Sequence, residues 1–209
     1  MSFAVGCCLS IRPCLEQLVS SIPERKQRVA SLILKMSVSL DGYVASLDGS
    51  NGWLAAGRSD DSTSWVLETV SNAGAHLIGA ATYAEWVGYW PAASGPFAKA
   101  MNEIPKVVFS NSLTSADWRE TEIAAGDLAE PITRLKQQRS SDRYLLAQGG
   151  TRFARSLVET GLIDEYRLVV HPVVLGVGER IFTAPLTIES MSTTVFSGGA
   201  VAHVFAAHP

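Results

Sequence analysis

The chain has 209 residues, 47% of them hydrophobic, with 17 Lys and Arg against 20 Asp and Glu for a formal net charge of −3. That is apolar material enough for one well-packed domain, and the scattered basic residues leave no footprint for nucleic acid. No run reaches the roughly 18 to 20 apolar residues of a membrane-crossing helix, and Cys7, Cys8 and Cys14 have no CxxC spacing, so neither a metal site nor a disulfide framework is expected and a reducing, cytoplasmic setting fits best.

The first residues lack a basic stretch and a cleavage site, which disfavours secretion. Residues 1–30 read as an appendage carrying one short amphipathic helix. Its apolar face, Leu15, Leu18 and Ile22, awaits cover from the domain or from a second subunit, and this keeps a homodimer open. From Ser31 the pattern predicts a strand (Leu32 to Val38), a loop (Asp41 to Gly57), a helix (Ser62 to Ser71), a strand (His76 to Gly79) and a helix (Thr82 to Val87). A strand over Lys106 to Phe109 follows Pro105, and Asp127 with Glu130 resembles a capping box opening a helix that runs to about Gln138. The apolar run Tyr144 to Gln148 then meets Gly149-Gly150, beyond which Phe153, Leu157 and Val158 share a helical face that Gly161 can end. Glu165 to Val170, Leu186 to Met191, Thr193 to Phe196 and Val201 to Phe205 read as strands, with Ser197-Gly198-Gly199 as a hairpin turn. The fold class is therefore α/β, with a mixed, mostly parallel sheet whose last strands are antiparallel.

A strand that feeds a helix through Gly149-Gly150 leaves backbone N–H groups open at the positive end of a helix dipole, where a phosphate can settle. The same dipeptide is also an ordinary tight connection. Neither GxxxxGK[ST] nor GxGxxG after the first strand is present, since Gly176-Val177-Gly178 is followed by Glu179-Arg180-Ile181. No GxSxG elbow supports serine hydrolysis, and His76 and His203, each within a strand, read as structural.

Five segments in order, Lys35 to Ala45, Asp48 to Trp53, Leu77 to Tyr83, Lys106 to Ser110 and Gln148 to Thr151, resemble the dihydrofolate-reductase-like superfamily. The branch they resemble most is the C-terminal reductase domain of the bifunctional riboflavin-biosynthesis deaminase-reductase. The resemblance spans about Ser31 to Ala207, so residues 31–209 form the reductase-like domain and the expected fold is a three-layer sandwich. It implies NADPH as cofactor and hydride transfer to a small, flat heterocyclic (pterin- or pyrimidine-like) or carbonyl substrate.

The resemblance also assigns positions. Gly79 and Thr82 match the turn and hydroxyl that face the cofactor phosphates, although Thr82 also reads as a plain helix cap. Relatives commonly carry Arg after the glycine, where Ala80 stands here, and this puts the usual hold on a 2′-phosphate in question. Ser110 and Asn111 match the approach to the adenosine phosphate, or else form a strand-end turn. Gln148, Gly149, Gly150, Thr151 and Arg152 match the pyrophosphate cradle, with Arg152 either supplying phosphate charge or simply solvated. At the reacting end, Asp41 is the catalytic candidate, against a role in the turn before Gly42. Trp53 either closes a flat pocket or anchors its loop in the core. Glu179 and Arg180 contact substrate or pair on the surface. Where folate enzymes place a carboxylate, counting back from Gly79 leaves Ser62 or Thr63, which argues against folate. The competing reading is a non-catalytic nucleotide- or flavin-binding module.

Overall fold

Apolar residues alternate along LILKMSVS, so Leu32–Ser39 forms the first strand, β1, with Leu32, Leu34, Met36 and Val38 on one face and Ile33, Lys35 and Ser37 on the other. The structure is a computed structural model that describes residues 29–139 and 142–207. The expected helix within residues 1–30 lies outside the described residues. After β1 come α1 (Asp60–Ser71), β2 (Ala73–Gly79), α2 (Ala80–Trp86), α3 (Pro96–Glu103), β3 (Lys106–Phe109) and β4 (Thr121–Ala124). The chain continues through α4 (Ala129–Gln138), β5 (Tyr144–Gln148), α5 (Thr151–Glu159), β6 (Glu165–His171), β7 (Ile188–Val195) and β8 (Val201–Ala207).

The eight strands make one sheet in the order β4-β3-β2-β5-β1-β6-β8-β7. The first six are parallel, whereas β8 runs antiparallel to β6 and β7 antiparallel to β8, the mixed α/β arrangement expected from the sequence. The helices divide between the two faces. Val70 of α1, Tyr83 of α2 and Met101 of α3 pack with Ile33, Ile78, Val108 and Leu146 on one side. Ile132 and Leu135 of α4 and Leu157 of α5 pack with Leu34, Leu77, Val107 and Leu145 on the other. Each such side chain, wholly buried, contributes roughly 1.5 to 3 kcal/mol from the area it withdraws from water. Neighbouring strands β2 and β5 thus send the chain to opposite faces, and a crevice opens between the turns at their carboxyl ends.

Several elements depart from the sequence expectation. The predicted capping box at Asp127 and Glu130 does not form: Leu128 is the N-cap residue of α4, and the Asp127 Oδ1 accepts instead from the Ala129 N–H at 2.6 Å. The two strands expected over Leu186 to Phe196 are one, β7, whose pairing with β8 slips between Ser190 and Ser192. Helix α3 and the short edge strand β4 had no counterpart in the periodicity. Pro96, at the first turn of α3, is a start signal, and the helix ends on a buried ammonium group. The Lys106 Nζ donates to the carbonyls of Met101, Asn102 and Ile104 at 3.0, 3.1 and 2.9 Å, 4.8 Å from the Trp118 ring centre, and its burial lowers its pKa to about 8. No described helix is long and apolar enough to cross a membrane.

Candidate functional site

Three glycines let the turns after β2 and β5 touch. A Cβ on Gly79 would lie 2.8 Å from the Phe153 Cβ, one on Gly149 2.8 Å from the Thr82 Cγ2, and one on Gly150 2.7 Å from the Thr82 Oγ1. Gly149 and Gly150 also take φ of +72° and +63°, which other residues adopt at a cost. The result is a cavity of about 890 Å³ onto which the first turns of α2 and α5 both open. Neither helix has a side-chain cap, whereas α1 carries a reciprocal capping box between Ser59 and Ser62. The α5 ladder begins with the Ala154 N–H bonded to the Gly150 carbonyl, so the amides of Thr151, Arg152 and Phe153 lie outside it, beside the cavity.

The crevice brings together Gly79, Thr82, Ser110, Asn111, Gly150, Thr151, Arg152 and Glu179 from the sequence analysis, and Ala80 with them. Arg152 is exposed and makes no ion pair among the described residues. Sequence reasoning missed Ala45, Ser46, Leu47, Phe109, Phe153 and Arg155 on the same walls; Arg155, three residues after Arg152 on α5, was the one with a signal in the helical period. Gly149 lies beneath the crevice, against Thr82 and Trp86. Gln148 is turned away from it, buried, with its amide at 3.3 Å from the His76 Nδ1 and 3.7 Å from the Met101 Sδ. Ser110 and Asn111 serve the local turn as well: the Ser110 Oγ accepts from the Ser112 and Leu113 N–H groups, and the Asn111 Oδ1 from the Gly126 N–H at 2.7 Å.

Glu179 faces the crevice while paired with Arg155 at 2.6 Å, and the Arg155 guanidinium also donates to the Arg180 carbonyl. Backbone bonds between Val44 or Ala45 and Glu179 tie this loop to the segment after β1. The Arg180 side chain lies over the Tyr43 ring, 4.4 Å from its centre.

The structure does not bring Asp41 into the crevice. Its carboxylate accepts from the Ser39 hydroxyl at 2.6 Å, the Leu175 N–H at 3.1 Å and the Gly176 N–H at 2.7 Å, and these bonds, led by Ser39, hold its pKa down at about 2. A group so held stays ionised and is engaged with backbone, so it ties the turn after β1 to the loop after β6.

A second, smaller cavity of about 170 Å³ lies between β1, β6 and α1, lined by Ser37, Leu54, Arg58, Ser62, Thr63, Val66, Phe97, Val169 and His171. The inner side of α1 here offers hydroxyls and no carboxylate: Asp61 turns outward to Ser59 and to Ser197. Trp53, in the 3₁₀ turn Gly52–Ala55, meets the His171 ring edge to face, 5.5 Å between centres.

This arrangement of sheet and crevice has relatives. The profile of the RibD C-terminal domain matches residues 30–202, most of the chain. The chain belongs to the RibD C-terminal domain family. The uncharacterized protein YyaP of Bacillus subtilis strain 168 is 27% identical over 190 residues, 86% of this chain and 95% of that one. YwjB of the same strain, also uncharacterized, is 32% identical over 153 residues, 72% of this chain and 81% of its own. The solved structure of a putative riboflavin biosynthesis protein from Shewanella sp. PV-4 shares the fold, with a TM-score of 0.68 at 21% identity over 86% of this chain and 99% of that one.

Proposed function

We propose that this RibD-type domain is a reductase that binds NADPH along the crevice between β2 and β5 and passes hydride to a small, flat carbonyl or heterocyclic substrate. The observation that carries the reading is the convergence of two uncapped helix starts on one cavity of about 890 Å³, a size within the range of small-molecule sites. The residues fit a dinucleotide diphosphate. The free amides of Thr151, Arg152 and Phe153 and the Thr82 hydroxyl supply donors, and the exposed Arg152 supplies a positive charge that Ala80 does not. Arg155 is already neutralised by Glu179 and serves as a wall.

When bound, the nicotinamide would supply the hydride, so the chain need only position, shield and orient. The Ala45–Leu47 segment, held to Glu179 by the backbone bridge, closes the crevice on the β1 side. The side of α1 that lines the smaller cavity presents Ser62 and Thr63 and no carboxylate, which disfavours a folate-like amidine, a group that calls for an acidic partner.

NADPH titration followed by its fluorescence, then by its absorbance with a panel of carbonyl and heterocyclic compounds, tests the reading. Saturable binding with turnover supports a reductase. Saturable binding without turnover on any compound supports a non-catalytic nucleotide module, and no saturable binding at millimolar NADPH rejects the crevice assignment.

A further inference from the structure

The chain holds four asparagines, Asn51, Asn72, Asn102 and Asn111, and their surroundings set one of them apart. The Asn102 amide is held at both ends, its Nδ2 donating to the Trp90 carbonyl and its Oδ1 accepting from the Trp118 Nε1–H, each at 2.8 Å. The Asn111 Oδ1 accepts from the Gly126 N–H, and the next backbone nitrogen, that of Ser112, donates to the Ser110 Oγ at 3.2 Å. Asn72 is the C-cap of α1, and Ala73 after it is wholly buried at the start of β2. Asn51 has none of these restraints. It is exposed before the 3₁₀ turn Gly52–Ala55, its side chain makes no hydrogen bond among the described residues, and the residue that follows is glycine. The Gly52 N–H has no partner among the described residues either, and a Cβ on Gly52 would meet nothing within 4 Å. A carboxamide carbon and the backbone nitrogen that can close a five-membered ring on it are thus both unengaged and open to water. The segment that Asn51 ends is a partition. Ser46 and Leu47 line the crevice and, with Asp48, Ser50 and Trp53, also an outer hollow of about 400 Å³, and the Ser46 hydroxyl donates to the Ser50 carbonyl at 2.6 Å.

We propose that Asn51-Gly52 is a site of spontaneous, base-promoted deamidation that alters this partition. The Gly52 nitrogen gives up its proton to base and bonds to the Asn51 Cγ, the Cγ–Nδ2 bond breaks, and ammonia leaves. Water then opens the cyclic imide. Cleavage at Cγ gives aspartate; cleavage at the backbone carbonyl gives isoaspartate, whose main chain runs through Cβ and Cγ and is one methylene longer. One water enters and one ammonia departs, so the balance calls for no other reactant. Ring closure needs Asn51 to rotate away from its ψ of 10°, and the bond that resists is the Leu54 N–H to the Asn51 carbonyl, 3.0 Å. Glycine at the next position leaves the nitrogen unscreened and the backbone free to turn. Either product adds a negative charge to the partition. The consequence for the cofactor rests on the reductase reading: a new carboxylate, and in isoaspartate a longer backbone, beside the crevice weaken the binding of a dinucleotide that carries phosphates.

The whole chain, incubated at pH 6 and at pH 8.5, is digested and read by peptide mass spectrometry and by isoaspartyl methyltransferase labelling, and NADPH is titrated before and after. The Asn51 peptide is expected to convert from amide to acid faster than those of Asn72, Asn102 and Asn111, and faster at pH 8.5. Isoaspartate should be the larger product, and the converted chain should bind NADPH about threefold more weakly or worse. Gly52→Ala has room for its methyl and a backbone that alanine adopts, and it should slow conversion about tenfold. Conversion at Asn51 no faster than at the other three, or unslowed by Gly52→Ala, overturns the site. Conversion with unchanged NADPH affinity overturns its effect on the partition. A native chain that binds no NADPH at millimolar concentration counts against the crevice reading, while the peptide masses still decide the site. Should Gly52→Ala not fold, Asn51→Gln, whose ring closure needs a sixth member, takes its place as the slow variant.

Discussion

The Thr82 hydroxyl stands where a side chain on Gly150 would have to begin: a Cβ there would be 2.7 Å from the Thr82 Oγ1. The glycine is therefore required by contact between α2 and the β5–α5 turn, whether or not a phosphate is bound. Gly150→Ala should cost roughly 2 to 4 kcal/mol, from overpacking against buried Thr82 and from a left-handed φ forced on alanine. Thr82→Ala in the same chain should recover the packing part and leave the backbone part. Urea unfolding of the two single variants and the double variant measures this, and strict additivity would show that the two residues do not press on each other.

If the crevice holds NADPH as proposed, selection of the cofactor turns on charge in the crevice. Arg152 is its cation without an ion pair among the described residues, and Ala80 lines the same cavity. Arg152→Ala should weaken NADPH by about 1 to 3 kcal/mol, the usual range for a hydrogen bond to a charged group. Ala80→Arg should widen the preference for NADPH over NADH, because a guanidinium can hold a 2′-phosphate bidentately. Titrating both nucleotides against each variant checks both statements. An Ala80→Arg protein with an unaltered NADPH-to-NADH ratio would place the 2′-phosphate elsewhere.

Asp41 is expected to behave as a tie. Its folded pKa is about 2, below the ordinary carboxylate value of 3.8, so its contribution is present above pH 3.8 and is lost as the pH falls toward 2. Asp41→Asn replaces one acceptor oxygen by an NH2 group, so either the Gly176 N–H or the Ser39 hydroxyl and Leu175 N–H lose their acceptor. The variant should melt below the native chain at pH 7, and the gap should narrow toward pH 2, while NADPH affinity holds. Equal melting temperatures at pH 7 would remove Asp41 from the support of the loop after β6.

Much of this architecture is legible in the chain because its parallel strands are buried on both faces and bounded by glycine or proline. Lys106–Phe109 and Tyr144–Gln148 stand out for that reason. The edge strand Thr121–Ala124 does not, since four residues with two polar ones lack a period to detect. In the crevice, Gly79, Thr82, Gly150 and Arg152 could be found because turns at strand ends carry glycine and hydroxyl signals. Asp41 could not be placed, because its partners, Leu175 and Gly176, lie more than 130 residues away and offer backbone amides, which any sequence has. The same holds for His171, whose Nδ1 is held by the Ala56 carbonyl. Burial of Lys106 is similarly invisible, being made by three carbonyls at the end of α3.

His76 sets the expected response to mild acid. It is fully buried in β2, its Nδ1 takes the Gln148 amide, and burial, followed by the Lys106 charge, lowers its pKa to about 4. In the unfolded chain the same imidazole titrates near 6.5. Between those values the unfolded state binds a proton that the folded state refuses, so stability from this group is complete above pH 6.5. It falls as the pH drops to about 4 and is level below that. The full window is worth about 3 kcal/mol. His76→Leu removes the titration and, at every pH, the Gln148–His76 hydrogen bond, a constant offset that cancels between conditions. Urea unfolding at pH 7.5 and pH 4.5 should show the native chain losing about 2 to 3 kcal/mol more than the variant over that interval. Parallel losses in the two proteins would mean that His76 takes up its proton without unfolding, and that the space beneath α3 admits charge more readily than its burial implies.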